Sequence, residues 1–119
     1  MLNLDTHILI DALQGSLSKR EHRLLAEAPW SISAIVLWEL AKLVQLNRIE
    51  LDLDSVEFAH ALSRVRIWPL DLAISRQSTR LDFKSDPADE IIAATSVVHR
   101  IPLLTRDKRI LKSKLVPFA

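Results

Sequence analysis

The stretch "DPADEIIAATS", residues 86–96, opens with two acids on either side of a proline and then turns apolar. Asp86 before Pro87 is typical of a helix start, with an N-cap acid, a proline in the first turn and a second acid, Asp89, near the positive end of the helix dipole. Helical spacing of the apolar residues predicts a helix over 86–99. We interpret Asp86 as the cap, whereas Asp89 is either a helix-start acid or part of a site built with distant residues.

Outward from this helix, short apolar runs alternate with longer helical patterns. Brief buried strands are predicted at 2–4, 30–32, 66–70 and 102–105, with 115–118 as a candidate fifth strand. Helices are predicted at 7–13, 18–27, 33–46, 54–64, 71–81 and 86–99. This alternation favours an α/β three-layer sandwich, in which helices cover both faces of a parallel sheet of four or five strands. We expect one domain over 1–119.

Composition excludes several classes of site. The chain has 119 residues and a net charge of +1, so overall charge indicates no partner. No cysteine is present, which excludes disulfides, thiolate zinc sites and a cysteine nucleophile. The single glycine excludes both common glycine-rich phosphate loops. The acid near the N-terminus argues against a signal peptide, and the apolar runs are too short for a membrane span, so we expect a cytoplasmic protein.

Four acids fall where a parallel sheet places its ligands, beyond the carboxyl ends of strands at the reversal of strand order. Asp5 follows the first predicted strand, and Asp107 follows the fourth. Glu39 lies in the second turn of the helix after the second strand, and Asp89 lies in the first turn of its own helix. Each acid also has a local explanation, as a helix-start residue or, for Glu39, as a partner of Lys42.

Carboxylates gathered in one pocket repel one another unless a cation neutralises them. Mg²⁺ and Mn²⁺ are oxygen-seeking ions that proteins hold with a few carboxylates and water. One or two such ions can activate water and stabilise both the attacking and the leaving oxygen of a phosphodiester. Four acids with little else are therefore sufficient for a metal-dependent nuclease.

Four motifs, in this order, resemble those of the PIN-domain ribonucleases, in particular the VapC-type toxins of bacterial and archaeal toxin–antitoxin pairs. The motifs are "LDTHILID" (4–11), "SAIVLWELAKL" (33–43), "DPADEIIAATS" (86–96) and "PLLTRDKRIL" (102–111). The resemblance covers essentially the whole chain. It implies a PIN-like fold, an endoribonuclease that cleaves structured RNA with Mg²⁺ or Mn²⁺, a homodimer, and a cognate VapB-type antitoxin.

The resemblance also implies roles for individual residues. The catalytic and metal-binding acids would be Asp5, Glu39, Asp89 and Asp107. The hydroxyls of Thr6 and Thr105 would support the first and last of these acids. The chain departs from the subgroup at Glu90, where arginine is common, and this departure puts the efficiency of catalysis in question.

Basic residues are concentrated near the C-terminus. Six of them occur between Arg100 and Lys114 against the single acid Asp107. The candidates for contacts with RNA phosphates are Arg106, Lys108, Arg109 and Lys112. A solvated helix face is the alternative. His7 follows Asp5 closely, but a partly buried histidine at a helix start is the favoured interpretation.

Two other function classes stay open beside the nuclease. The first is a PIN-like interaction module with weak or no nuclease activity, which Glu90 favours. The second is a phospho-receiver domain, whose size and β/α alternation are similar. A receiver needs paired acids after its first strand, and Asp5 stands alone there. The receiver interpretation therefore fits poorly.

Overall fold

The computed structural model describes residues 1–119. Its elements, in chain order, are β1 (Leu2–Leu4), α1 (Thr6–Gln14), α2 (Lys19–Glu27), β2 (Trp30–Ser33), α3 (Ala34–Gln45), α4 (Val56–Leu62), β3 (Val65–Trp68), α5 (Leu72–Ser78), α6 (Pro87–His99), β4 (Leu103–Leu104) and α7 (Lys108–Leu111). All six predicted helices are present, and α7 is an additional short one.

The sheet has four strands in the order β3-β2-β1-β4, and every neighbouring pair is parallel. After β1 the chain adds β2 and β3 on one side and later places β4 on the other side. Strand order therefore reverses between β1 and β4, where Asn3 is opposite Leu103 and Leu4 is opposite Leu104. The predicted α/β fold with a parallel sheet and flanking helices is confirmed, and its ligand-binding edge lies at the ends of β1 and β4.

Helix α6 is buried around most of its circumference because it packs on the sheet and on α3 and α5. Its buried residues include alanine, serine and threonine, whose small side chains allow close approach. Asn3 of β1 is fully buried, and its Nδ2 donates to the carbonyl of Ile92 (3.2 Å) and to Oγ of Ser96 (2.9 Å). These bonds fix β1, which ends just before Asp5, against the helix that carries Asp89.

Local sequence sets most helix ends. Serine or aspartate side chains cap six helix starts, namely Asp5 (α1), Ser18 (α2), Ser33 (α3), Ser55 (α4), Asp71 (α5) and Asp107 (α7). Each such cap contributes about 1 kcal/mol. Helix α1 ends at Gly15, whose φ of 78° lies in the left-handed region that glycine adopts without strain.

Two predicted element ends, those of β3 and α5, are wrong. Strand β3 ends at Trp68 rather than at residue 70, because Pro69 has no N–H to donate to a neighbouring strand. Helix α5 ends at Ser78 rather than at residue 81, because the hydroxyls of Ser78 and Thr79 donate to carbonyls of its last turn.

The candidate fifth strand, 115–118, is reduced to a single bridge between Leu103 and Phe118. The N–H groups of Leu115 and Val116 donate to Oγ of Ser113 (3.1 and 3.2 Å) and are not available to the sheet. The next residue is a proline, which has no N–H.

Candidate functional site

The structure brings the four predicted acids into the wall of one pocket of about 480 Å³, called the acidic pocket below. The lining acids are Asp5, Glu39, Asp89 and Asp107, together with Asp11 and Asp86. They meet because the ends of β1 and β4, the second turn of α3 and the first turn of α6 reach the same edge of the sheet. The four elements that contribute them are far apart in the chain.

Asp5 is the most buried of these acids, at 6% exposure. Its Oδ1 accepts from the N–H of Thr6 (2.8 Å), and its Oδ2 accepts from the hydroxyl of Thr105 (2.6 Å). The Thr105 Oγ1 also accepts from the N–H of Asp107 (3.0 Å). Thr105 therefore links the acid after β1 to the acid after β4.

Glu39 lies on the second turn of α3 and is half-buried. The hydroxyl of Thr6 donates a short hydrogen bond to its Oε1. Burial raises the pKa of Glu39, and the negative charges of Asp89 and Asp5 raise this pKa further. The Thr6 hydrogen bond acts in the opposite direction but does not cancel the effect. The charge of His7 also lowers the pKa of Glu39 without cancelling the rise, and Glu39 forms no ion pair.

Asp89 lies in the first turn of α6, where Oγ of Ser85 donates to its Oδ2 (2.8 Å). Burial raises the pKa of Asp89, and repulsion from Asp5 and Asp107 adds to the rise, against the lowering effect of the Ser85 hydrogen bond. Ser85 was not among the supporting residues predicted from the sequence. A hydroxyl four residues before an acid was the available signal, but the chain between them is a loop and a helix start, so spacing alone did not indicate contact.

Asp107 is both the N-cap of α7 and a member of the acidic pocket. Its Oδ1 accepts from the N–H groups of Arg109 (2.8 Å) and Ile110 (3.2 Å). The local explanation of this acid is confirmed, and it does not exclude a site role, because capping uses one carboxylate oxygen and leaves the other free.

Asp86 does not cap α6 through its side chain as predicted. It occupies the N-cap position before Pro87, but its carboxylate makes no capping hydrogen bond. It lines the acidic pocket instead. Pro87 does not prevent capping, because an N-cap side chain accepts from the N–H groups of the second and third helical residues, here Ala88 and Asp89.

The donor chemistry of the acidic pocket fits a hard divalent cation, since its lining is rich in carboxylate oxygens. No three His, Asp or Glu side chains are arranged so that they already close around one metal ion. Hydroxyl and backbone donors hold Asp5, Glu39 and Asp89 in their present orientations. Binding an ion would therefore require these carboxylates to rotate toward a common point.

A basic groove of about 600 Å³ adjoins the acidic pocket. Asp86, Asp89 and Asp107 line both, and the basic groove adds Lys108, Arg109 and Lys112 from α7 and the residue after it. All three basic side chains are exposed and form no ion pair. Three of the four predicted phosphate-binding residues therefore lie beside the acids.

Arg106, the fourth predicted phosphate-binding residue, is held by two acids instead. Its Nε and Nη2 donate to the carboxylate of Glu21 (2.7 and 2.6 Å), and its Nη1 donates to Asp11 (2.5 Å). The guanidinium lowers the pKa of Glu21 to about 2, and the two acids raise the pKa of Arg106 above its usual value. We interpret Arg106 as a structural residue that anchors the β4–α7 loop to α1 and α2.

Three other side chains differ from their interpretation in the sequence. Glu90 does not line the acidic pocket and faces a neighbouring groove. His7 is exposed and lines the acidic pocket, whereas a partly buried position was favoured. Lys42 does not pair with Glu39, because its Nζ donates to Oε1 of Gln45 (3.2 Å).

Comparison with known proteins agrees with this architecture. Ribonuclease VapC22 of Mycobacterium tuberculosis is 31% identical over 83 residues, which cover 67% of this chain and 64% of that protein. The match thus spans less than two thirds of that relative's length.

Solved structures are similar over a larger part of the chain. A chain of a toxin-antitoxin complex from Klebsiella pneumoniae has a TM-score of 0.72 at 26% identity, covering 94% of this chain and 91% of that one. A chain of VapBC2 from Rickettsia felis, solved with a promoter DNA fragment, has a TM-score of 0.74 at 18% identity, covering 100% and 98%. The second likeness shows the fold alone. The PIN domain family model matches residues 3–114, nearly the whole sequence, and this chain therefore belongs to the PIN domain family.

Proposed function

We propose that residues 1–119 form one PIN domain that acts as a metal-dependent endoribonuclease on structured RNA, as the toxin of a VapBC-type toxin–antitoxin pair. The main observation behind this proposal is that Asp5, Glu39, Asp89 and Asp107, from four separate parts of the chain, line one pocket and none of them forms an ion pair. The raised pKa values of Glu39 and Asp89 support it, because they report burial and repulsion that a divalent cation would relieve. The likeness to Ribonuclease VapC22 supports the choice of RNA.

Mg²⁺ or Mn²⁺ would be held by Asp5, Glu39, Asp89 and Asp107. When bound, such an ion supplies polarisation of the scissile phosphate and activation of water. The chain's own part is to position the carboxylates: Thr105 holds Asp5, Thr6 holds Glu39 and Ser85 holds Asp89. Such supporting hydrogen bonds fix the orientation of metal ligands. Their loss typically lowers metal affinity or activity by about 10–100-fold.

Lys108, Arg109 and Lys112 would bind RNA phosphates along the basic groove. Their charges face Asp86, Asp89 and Asp107 across it, so a phosphodiester held by the basic side lies next to the acids. Contacts of this kind make binding strongly dependent on salt concentration. We leave Arg106 out of this set because Glu21 and Asp11 hold its guanidinium.

The test is cleavage of a total-RNA pool by the purified chain, with Mg²⁺ or Mn²⁺ and with EDTA. Asp5→Asn removes one acid of the pocket, and Asp54→Asn is a matched control at an exposed acid outside it. We expect discrete fragments that need metal, disappear with Asp5→Asn and persist with Asp54→Asn. A folded protein that binds no Mn²⁺ and cuts no RNA would contradict the proposal.

The partner proteins are part of the same proposal. We propose a cognate VapB-type antitoxin and a homodimer, and the similar solved structures include toxin-antitoxin complexes. Trp38 and Leu70 are 56% and 47% exposed and line one apolar groove, which supports burial of surface by a protein partner. Sedimentation of the purified chain, alone and with the antitoxin, tests both partners.

We also propose that the protein is cytoplasmic and does not bind membranes. Among the helices of this chain, none combines the length and the apolar character that crossing a bilayer requires.

The alternative is a PIN-like interaction module with weak or no nuclease activity. One observation favours it, namely that no three acidic or histidine side chains already surround a common metal position. The two proposals differ in metal binding, because only the nuclease requires the acids to take up an ion. Titration with Mn²⁺ therefore separates them even before an RNA substrate is found.

A further inference from the structure

A third polar groove, of about 340 Å³, lies beside the basic groove, and we call it the Glu90 groove. Its lining includes Phe83, Lys84, Ser85 and Glu90. Ser85 also lines the basic groove and donates to Asp89, so the two grooves meet at a residue that contacts the proposed metal site. The volume of the Glu90 groove falls within the range of about 300–1,000 Å³ found for small-ligand pockets.

The carboxylate of Glu90 has free acceptor capacity. Its only hydrogen bond is a long one, in which Oε2 accepts from the N–H of Ser85 at 3.4 Å. Neither of the two ion pairs in the chain involves it. An ionised carboxylate can accept about four hydrogen bonds, so most of the capacity of this groove-lining side chain is unused.

Phe83 and Lys84 add an aromatic ring and a positive charge to the lining of the Glu90 groove. Phe83 is half-buried and packs against the core, which holds its ring in place while part of it lines the groove. Proteins that read unpaired RNA bases stack them on aromatic rings and hydrogen-bond their Watson–Crick edges. Lys84 is exposed, has no hydrogen-bond or ion-pair partner through its ammonium group, and lines the same groove.

We infer that the Glu90 groove binds an unpaired guanine of the RNA next to the cleaved phosphodiester, with Glu90 as the residue that reads the base. The N1–H and N2–H groups of guanine are adjacent donors that match the two oxygens of a carboxylate, and the neighbouring O6 accepts from an ammonium such as that of Lys84. The other bases place an acceptor beside their donor, which a carboxylate repels. This inference rests on the proposed nuclease function, and it gives Glu90 a role in specificity.

Binding of four fluorescent pentanucleotides, UUGUU, UUAUU, UUCUU and UUUUU, to the wild-type chain in EDTA at low salt tests the inference. EDTA prevents metal-dependent cleavage, and repulsion by the uncompensated acids affects all four RNAs equally. We expect UUGUU to bind about tenfold more tightly than the others, as two good hydrogen bonds to a base allow.

Substitutions test which residue is responsible for the guanine preference. Glu90→Gln keeps the size of the side chain, and we expect it to reduce the guanine preference to about twofold or less. Glu57→Gln, at an exposed acid in the first turn of α4, is the matched control and should keep the full preference. Phe83→Leu should weaken the binding of all four RNAs and keep the order of their affinities, because stacking does not depend on the base. Thermal melts confirm that each variant is folded.

The outcomes separate this inference from the proposed function. Metal-dependent cleavage of total RNA with equal binding of the four pentanucleotides would overturn the guanine groove alone. A guanine preference that depends on Glu90 in a chain that cuts no RNA would support the groove and overturn the nuclease. Absence of binding to all four pentanucleotides, or a guanine preference that survives Glu90→Gln, would also overturn the inference.

Discussion

Two sets of acids lie at the same edge of the sheet and have opposite electrostatics. Asp11 and Glu21 share the guanidinium of Arg106, which lowers the pKa of Glu21 to about 2. Glu39 and Asp89 have only hydroxyl donors, and burial with mutual repulsion raises the pKa of both. Arg106 and Asp107 are consecutive residues, so one short loop contributes to both sets.

We interpret this difference as one between acids that stabilise the fold and acids of the proposed site. A paired carboxylate stabilises the fold, because its charge and its hydrogen-bonding capacity are satisfied within the chain. An uncompensated, half-buried carboxylate costs stability until something outside the chain neutralises it, and such positions are typical of functional sites. Substitutions in the uncompensated set should therefore change cleavage, whereas substitutions in the paired set should change the stability of the fold.

Removing one uncompensated charge should abolish cleavage while sparing the fold. For Asp89→Asn we expect the cleavage rate to fall more than about a hundredfold, since loss of a metal ligand exceeds the 10–100-fold typical of supporting residues. The melting temperature in metal-free buffer should stay equal or rise by about 2 °C, because repulsion from Asp5 and Asp107 is relieved. Cleavage rates and thermal melts measure both effects. A fully active Asp89→Asn enzyme would remove Asp89 from the site.

Breaking the compensated set should have the reverse outcome. Arg106→Ala leaves Glu21, which is 7% exposed, without its partner. We expect a loss of about 2 kcal/mol in the free energy of unfolding, below the 3–5 kcal/mol of fully buried pairs because Arg106 is itself half exposed. Urea unfolding measures it. The double variant Arg106→Ala/Glu21→Gln should recover part of the loss, and an equally unstable double variant would contradict the pairing.

The two sets should also respond oppositely to pH. The pKa of Glu21 is lowered from 4.5 to about 2. Its contribution to the free energy of unfolding is therefore complete above pH about 4.5 and is lost as pH falls toward about 2. The raised pKa values of Glu39 and Asp89 have the opposite sign, and their protonation adds stability as pH falls through them. Urea unfolding from pH 7 to pH 3 should show Glu21→Gln approaching wild type only at the acid end. A constant difference across this range would contradict the assignment.

The smallest effect concerns two aspartates at helix starts. Asp71 caps α5 by accepting from the N–H of Ile74 (3.0 Å), whereas Asp86 makes no such bond at α6. We expect Asp71→Ala to cost about 1 kcal/mol and Asp86→Ala less than about 0.5 kcal/mol. Urea unfolding compares them directly. Equal losses would show that Asp86 caps its helix in solution.

Much of the fold could be predicted from patterns that are local. The alternation of apolar runs with helical spacing predicts the four strands and six of the helices, because periodicity and cap residues act within a few positions. The boundaries that failed depended on proline and on hydroxyl side chains, as at Pro69 and Thr79. Prediction of the fifth strand failed because Ser113 takes the N–H groups of Leu115 and Val116.

Sequence order alone identified which acids could meet, since Asp5, Glu39, Asp89 and Asp107 follow the ends of strands or begin helices, where a parallel sheet gathers its ligands. Which charges are compensated was decided only by the tertiary structure. Arg106 reaches Glu21 across 85 positions of the chain, Thr105 reaches Asp5 across 100, and Glu90 turns away from the acids beside it. Such pairings depend on distances that folding sets and on the direction of each side chain. The spacing of residues along the chain determines neither.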